Sequence, residues 1–245
     1  MNLILFVPAY RYKTDKLTDI SYALSFVVLI TLALGQSRFK WEDFLLALMI
    51  FWWVVRLGGF LLFRIWKKGK DKRFDGMREN PVKFLRFWFF QGVTVFVVLI
   101  GALEFMHTNR PVFNVLSAIG LVIFLKGLII EAVADLQKWQ FSQDPKNKGK
   151  WIEAGLWGMS RHPNYLGEML VWLGVYLYIL PSLHGLQWLI ALISPAYIII
   201  LLMYVSGIPI LEKSADKKWG SNKDYNAYKK RVPLLVPWTN QLRSK

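Results

Sequence analysis

The chain contains no cysteine, which excludes disulfides, thiolate metal sites and cysteine nucleophiles together. Its 3 histidines, His107, His162 and His184, stand far apart without metal-ligand spacing, so no metal site is expected. No G-x-G-x-x-G and no G-x-x-x-x-G-K-[ST] occurs; neither a Rossmann nor a P-loop nucleotide site is encoded. Acidic residues are scarce, 16 Asp and Glu against 31 Lys and Arg, leaving a net charge of +15. Such a charge fits nucleic acid, but the basic residues lie between long apolar runs. Orientation in a bilayer accounts for them, and no nucleic-acid partner is expected.

Apolar sequence is abundant: of 245 residues 55% are hydrophobic and 16% aromatic. Repeated runs of about 20 apolar residues are membrane spans. They predict an all-α, polytopic membrane helix bundle, a single domain over 1–245, with spans at 17–34, 41–63, 84–106, 112–134, 164–183 and 188–211 and a polar tail over 212–245. The opening MNLILFVPAYRYKTDK places its charge after the short apolar run, unlike a cleavable signal. Lys and Arg concentrate in the links after the second, fourth and sixth spans. The positive-inside rule then puts those links and both termini in the cytoplasm.

Polar groups within the spans narrow the function. A charge at the centre of a span costs on the order of 3 kcal/mol, and such residues are functional candidates by default. Arg56 and Arg64 lie two helical turns apart on one face; Gln91 is an isolated amide; Asp19 and Tyr22 lie one turn apart. Glu131, Asp135 and Lys138 share a face at the end of the fourth span, before an expected polar loop from Asp135 to Gly155. In GLWGMSRHPNYLGEMLVW (155–172), Pro163 suits a first helical turn, and Asn164, Glu168 and Trp172 recur on one face. Arg161 and His162 stand at that helix's N-terminus, where free N–H groups favour an anion, so both are expected to contact phosphates. Trp52, Trp53, Phe87, Trp88 and Phe89 are expected to line an apolar substrate pocket.

SRHPNYLGE with Trp172, ADLQK (134–138), RLGGFLLFR (56–64) with KDKRF, VSGIPILEK (205–213) and the tail from Tyr225 to Trp238 resemble the steroid 5α-reductase-like integral membrane family, bacterial branch. The resemblance implies a bundle of membrane helices, in a bacterial inner membrane, holding NADPH on its cytoplasmic side. The implied reaction is reduction of a C=C bond conjugated to a carbonyl in a hydrophobic sterol-, isoprenoid- or lipid-like substrate. It implies that Asn164 and Glu168 hold the nicotinamide end, with Trp172 one turn deeper, Asp135 on the adenosine side and Arg64 near the phosphates; Lys68 is also expected at the phosphates, and Lys138 is a further expected cofactor contact. A Glu–Tyr pair that polarises a steroid ketone has no counterpart, since Trp53 falls where the Tyr would be. Tyr22, Gln91 and Arg56 are the candidate donors to the substrate oxygen, with Glu168 the catalytic carboxylate. RHPNYLG is also similar to the R-H-P-x-Y-x-G of isoprenylcysteine carboxyl methyltransferases. That alternative implies S-adenosylmethionine in place of NADPH.

Overall fold

The computed structural model describes residues 1–68, 74–108 and 111–236, with backbone alone for 61–68. The described residues are helical, without strands: α1 (Asn2–Arg11), α2 (Lys16–Gln36), α3 (Trp41–Lys68), α4 (Pro81–Met106), α5 (Val115–Gln143), α6 (Pro163–Ile179), α7 (Leu186–Ile200), α8 (Ile208–Trp219) and α9 (Lys223–Arg231). Six segments are long and apolar enough to cross a membrane, as the sequence predicts: Lys16–Gln36, Trp41–Phe60, Pro81–Met106, Val115–Gln143, Pro163–Ser182 and Leu186–Trp219. The chain is an integral membrane protein whose surroundings are lipid.

Three boundaries depart from expectation. The first residues form a helix of their own, α1. The fourth span does not end at residue 134, because α5 runs on to Gln143; no proline or glycine stands between residue 134 and Pro145. Asp135 and Lys138 therefore sit on a continuous helix and not in a loop. The sixth span is broken: a π-helical turn, Leu201–Val205, follows α7, and the chain turns at Ser206 and Gly207 before α8.

The described residues pack as two compact units, Met1–Ser117 with Ile179–Ser194, and Ala118–Tyr178 with the chain from Pro195 onward. In the first unit α1 packs against α2 and α4, where Ala9, Phe74, Phe84 and Trp88 form a buried cluster joined by Phe6. Asn2 is buried there and accepts hydrogen bonds from Ser21 (2.6 Å) and Ser25 (2.8 Å). Arg78 is bonded to Asp15 at 3.5 Å, with side-chain exposures of 4% and 2%. Asn80 caps α4 by accepting from the Lys83 N–H at 3.0 Å, with Pro81 at the first helical position.

In the second unit α5 and α6 run antiparallel and touch backbone to backbone. Gly120 and Gly127 on α5, and Gly167 and Gly174 on α6, are each seven residues apart, two turns along one helix face. A Cβ on Gly127 would lie 2.6 Å from the Val171 nitrogen, and one on Gly167 2.6 Å from the Glu131 nitrogen. One on Gly174 would lie 2.4 Å from the Phe124 nitrogen, and one on Gly120 2.4 Å from that of Tyr178. Small residues allow this approach, which in lipid substitutes for a hydrophobic driving force between helices. The same register sets Asp135 against Asn164 one turn beyond the last glycine.

Candidate functional site

The polar end of the α5–α6 pair is built around the turn that precedes α6. A short 3₁₀ helix, Gly155–Gly158, opens at a left-handed residue, Gly155 (φ 60°), whose missing side chain admits Gln137. Gln137 Oε1 accepts from the Leu156 N–H at 3.0 Å, and Trp157 donates its indole N–H to the Ala134 carbonyl at 3.0 Å. From α9, the Tyr228 hydroxyl donates to the Trp157 carbonyl (3.0 Å); beyond α9, the Pro233 carbonyl accepts from the Arg161 N–H (2.9 Å). Ser160 accepts from the His162 N–H at 3.3 Å, and Pro163 begins α6.

Three groups of predicted residues meet here. Asn164 donates to Asp135 at 3.1 Å. Glu168, one turn further along α6, is half-buried, and Trp172 is fully buried. Lys138 holds its ammonium 4.5 Å above the Trp157 ring, within cation–π range. Arg161 and His162 are brought together by Glu212 of α8: His162 Nε2 lies 2.8 Å from Glu212 Oε1, and Arg161 bonds the other carboxylate oxygen. Lys229 joins from α9, 3.4 Å from Glu212 and 2.6 Å from Asp216. Arg161 and His162, both expected to meet phosphate, are thus bonded within the protein.

The remaining candidates stand on other elements. Tyr22, Gln91 and Arg56 belong to the first unit: Tyr22 packs edge-on to Phe26, Gln91 donates to the Thr18 carbonyl at 3.1 Å, and Arg56 is half-buried on α3. Arg64 and Lys68 fall outside the residues whose side chains are described. Of the expected pocket aromatics, Trp53 and Trp88 are core residues, packed on Phe26 and Phe84. Trp52 and Phe89 are exposed, as lipid-facing side chains are.

A cavity of about 500 Å³ opens in the second unit beside the His162 turn. Its charged lining is lopsided: Lys138, Lys148, Lys150, Arg161 and Lys218 face a single carboxylate, Glu212. Trp151, Trp157, Trp219, Tyr225 and Tyr228 supply flat aromatic surface. Three buried nitrogens of lining residues, His162 Nδ1, Arg161 Nε and Trp151 Nε1, have no hydrogen-bond partner among the described residues. Buried polar atoms are ordinarily satisfied, so orphans grouped on one cavity point to a ligand. Burial pushes the Tyr225 phenol up to about 12, aided by the charges of Glu212 and Asp216, and pushes Tyr228 up as well. Both remain neutral hydroxyls.

Lys148, Lys150, Trp151, Glu212, Lys218, Trp219, Tyr225 and Tyr228 were not among the predicted site residues. A signal was present in the Lys-Trp dipeptides at 40–41, 138–139, 150–151 and 218–219. Two of the four contribute both residues to the cavity.

Burial lowers the His162 pKa below 6.5; the hydrogen bond and charge of Glu212 oppose this, while Lys138 and Arg161 reinforce it. The sign for stability follows. As pH falls through 6.5 the unfolded chain takes up a proton that the folded ring refuses, so folding stability declines. Thermal unfolding between about pH 8 and 5 should show a steeper acid decline for the wild type than for His162→Phe. Parallel curves would mean that His162 titrates alike folded and unfolded.

Comparison with known proteins completes the picture. A family described as "Protein of unknown function (DUF1295)" matches residues 5–232. The chain belongs to this family. Among curated proteins, a "Probable O-methyltransferase" of Ustilaginoidea virens is 42% identical over 52 residues, 21% of this chain and 18% of the relative. A Delta(14)-sterol reductase of Arabidopsis thaliana is 30% identical over 96 residues, 35% and 25% of the two chains. An uncharacterised protein of Schizosaccharomyces pombe is 27% identical over 148 residues, 53% and 41%. These matches span less than half the length of each relative. No solved structure matches the chain. The family's likeness to steroid 5α-reductases is supported in general terms, with distant similarity to both a reductase and a methyltransferase.

Proposed function

We propose that this protein is a membrane-embedded reductase that uses NADPH to reduce a C=C bond conjugated to a carbonyl in a hydrophobic, sterol-, isoprenoid- or lipid-like substrate. The observation that carries the reading is the charge of the cavity: five basic side chains around one carboxylate. That lining suits a polyanion. Lys138, Lys148, Lys150 and Lys218 would hold phosphates by charge-assisted hydrogen bonds, and the Trp and Tyr surfaces would stack on a nucleobase. The volume lies within the range of cofactor pockets. When bound, NADPH supplies the hydride.

The protein's own groups would bind and orient. Asn164, bonded to Asp135 of α5, and Glu168 share one face of α6, where an amide and a carboxylate can grip a carboxamide and fix a ring at near-attack distance. A substrate oxygen that gains negative charge needs a donor. By side-chain chemistry, Tyr22, Gln91 and Arg56 are proposed in that order. The distant likeness to a sterol reductase agrees with this reading. A bacterial inner membrane, with the basic links facing the cytoplasm, is the proposed location.

The 42% match to a probable O-methyltransferase favours a second reading, S-adenosylmethionine-dependent methyl transfer. That cofactor carries a sulfonium cation and no phosphate, a poor match to a lysine-rich lining. Titration of detergent-solubilised protein with NADPH and with S-adenosylmethionine in parallel decides between them. NADPH should bind, weakening as salt rises, and the double reversal Lys148→Glu, Lys218→Glu should weaken it at least about tenfold, or about 1.4 kcal/mol. Tight binding of the methyl donor without NADPH binding would replace the first reading by the second.

A further inference from the structure

His162 has two ring nitrogens with different fates. Nε2 faces Glu212 Oε1 at 2.8 Å. Arg161 bonds the same carboxylate and Lys229 lies 3.4 Å from it, so Glu212 is held as a carboxylate and can only accept. The proton between them therefore belongs to Nε2. The ring is 5% exposed and stacked on Tyr165 with centroids 5.7 Å apart. Charged Lys138 and Arg161 act on it from α5 and from its own turn, both against a second proton. A neutral ring with its proton on Nε2 leaves Nδ1 a bare lone pair. Nδ1 is buried and has no partner among the described residues.

A bare ring nitrogen repels a phosphate oxygen and welcomes an O–H or N–H. The adjacent Arg161 presents the complementary group, a buried Nε–H without a partner. Two successive residues of the cavity lining thus offer one acceptor and one donor, the pair that a hydroxyl can meet because it donates and accepts at once. We propose that His162 Nδ1 accepts a hydrogen bond from a ribose hydroxyl of the molecule bound in this cavity, and that Glu212 is the positioning residue that sets the imidazole tautomer. This replaces the phosphate contact expected for His162 from its place at a helix N-terminus. It rests on the reading of the cavity as a nucleotide-cofactor site, but a ribose is common to NADPH and S-adenosylmethionine.

The test observes the ring itself. In the full-length His107→Gln, His184→Gln double variant, His162 is the one histidine left, and ¹⁵N-histidine labelling reports its two nitrogens. The expected spectrum at pH 7.5 has the proton on Nε2 and Nδ1 bare. Adding NADP⁺, the acid-stable form, should shift Nδ1 towards a hydrogen-bonded acceptor and leave Nε2 protonated. S-adenosylhomocysteine is titrated separately. A proton on Nδ1 in the free protein, or an Nδ1 unmoved by either compound, overturns the inference. A response to S-adenosylhomocysteine alone upholds it while overturning the NADPH reading. A second arm compares affinities at pH 8 and pH 6 for wild type and His162→Phe. An accepting Nδ1 makes the wild type lose affinity relative to the variant on acidification, whereas a protonated phosphate contact would make it gain.

Discussion

Gly127→Leu and Gly167→Val are expected to separate α5 from α6 and to cost the second unit most of its stability. A Cβ at residue 127 would stand 2.6 Å from a backbone nitrogen and 2.7 Å from the Gly167 carbonyl oxygen, and one at 167 would stand 2.7 Å from the Gly127 carbonyl oxygen. These neighbours are main-chain atoms of the facing helix and cannot move aside as a side-chain tip can. Overpacking a core costs about 1–3 kcal/mol where rotamers adjust; here the helix axes must move, and the loss should exceed that range. Even alanine should be poorly tolerated at either position. Gly35→Ala is the control, since nothing lies within 4 Å of a Cβ there, and it should be neutral or slightly stabilising. Thermal unfolding of these variants, of Gly127→Ala and of the wild type in one detergent makes the comparison. If Gly127→Ala matched Gly35→Ala, the close helix contact would not exist in solution. The same substitutions should abolish cofactor binding, because Asp135 and Asn164 meet only through the α5–α6 register.

Arg78→Met is expected to destabilise the first unit by about 3–5 kcal/mol, the scale for removing one partner of a buried ion pair. Arg78 ties Asp15, in the link between α1 and α2, to the chain before α4, and it bonds Asp75 and the Phe74 carbonyl as well. Arg78→Lys should recover only part of the loss, since an ammonium cannot span several acceptors as the guanidinium fork does. Combining Arg78→Met with Asp15→Ala should cost less than the sum of the single changes, because the double variant leaves no buried carboxylate behind. Additive losses would show that the two side chains do not share an interaction.

The spans were legible because a membrane helix is specified locally: some 20 apolar residues satisfy their own backbone hydrogen bonds whatever surrounds them. The continuation of α5 to Gln143 was legible in principle, from the absence of proline and glycine, but a polar composition reads as loop when hydropathy is the guide. The glycine spacings 120/127 and 167/174 could be seen in the chain, yet nothing local says that one pair faces the other. Asn164, Glu168 and Trp172 could be placed on one helix face from their spacing. That Asn164 meets Asp135, 29 residues away, could not.

By itself the sequence determined the helical class, the number of apolar spans, the basic links and the proline that opens α6, all consequences of composition and short-range geometry. Only the tertiary structure decided what the charges do. Glu212 lies 50 residues from His162, and its carboxylate turns an apparent phosphate contact into an imidazole of defined tautomer. The lysines of three separate segments become one cavity wall only after α8 and α9 fold onto the 138–157 region. Chain spacing says nothing about such partners, because burial and opposite charge select them in space.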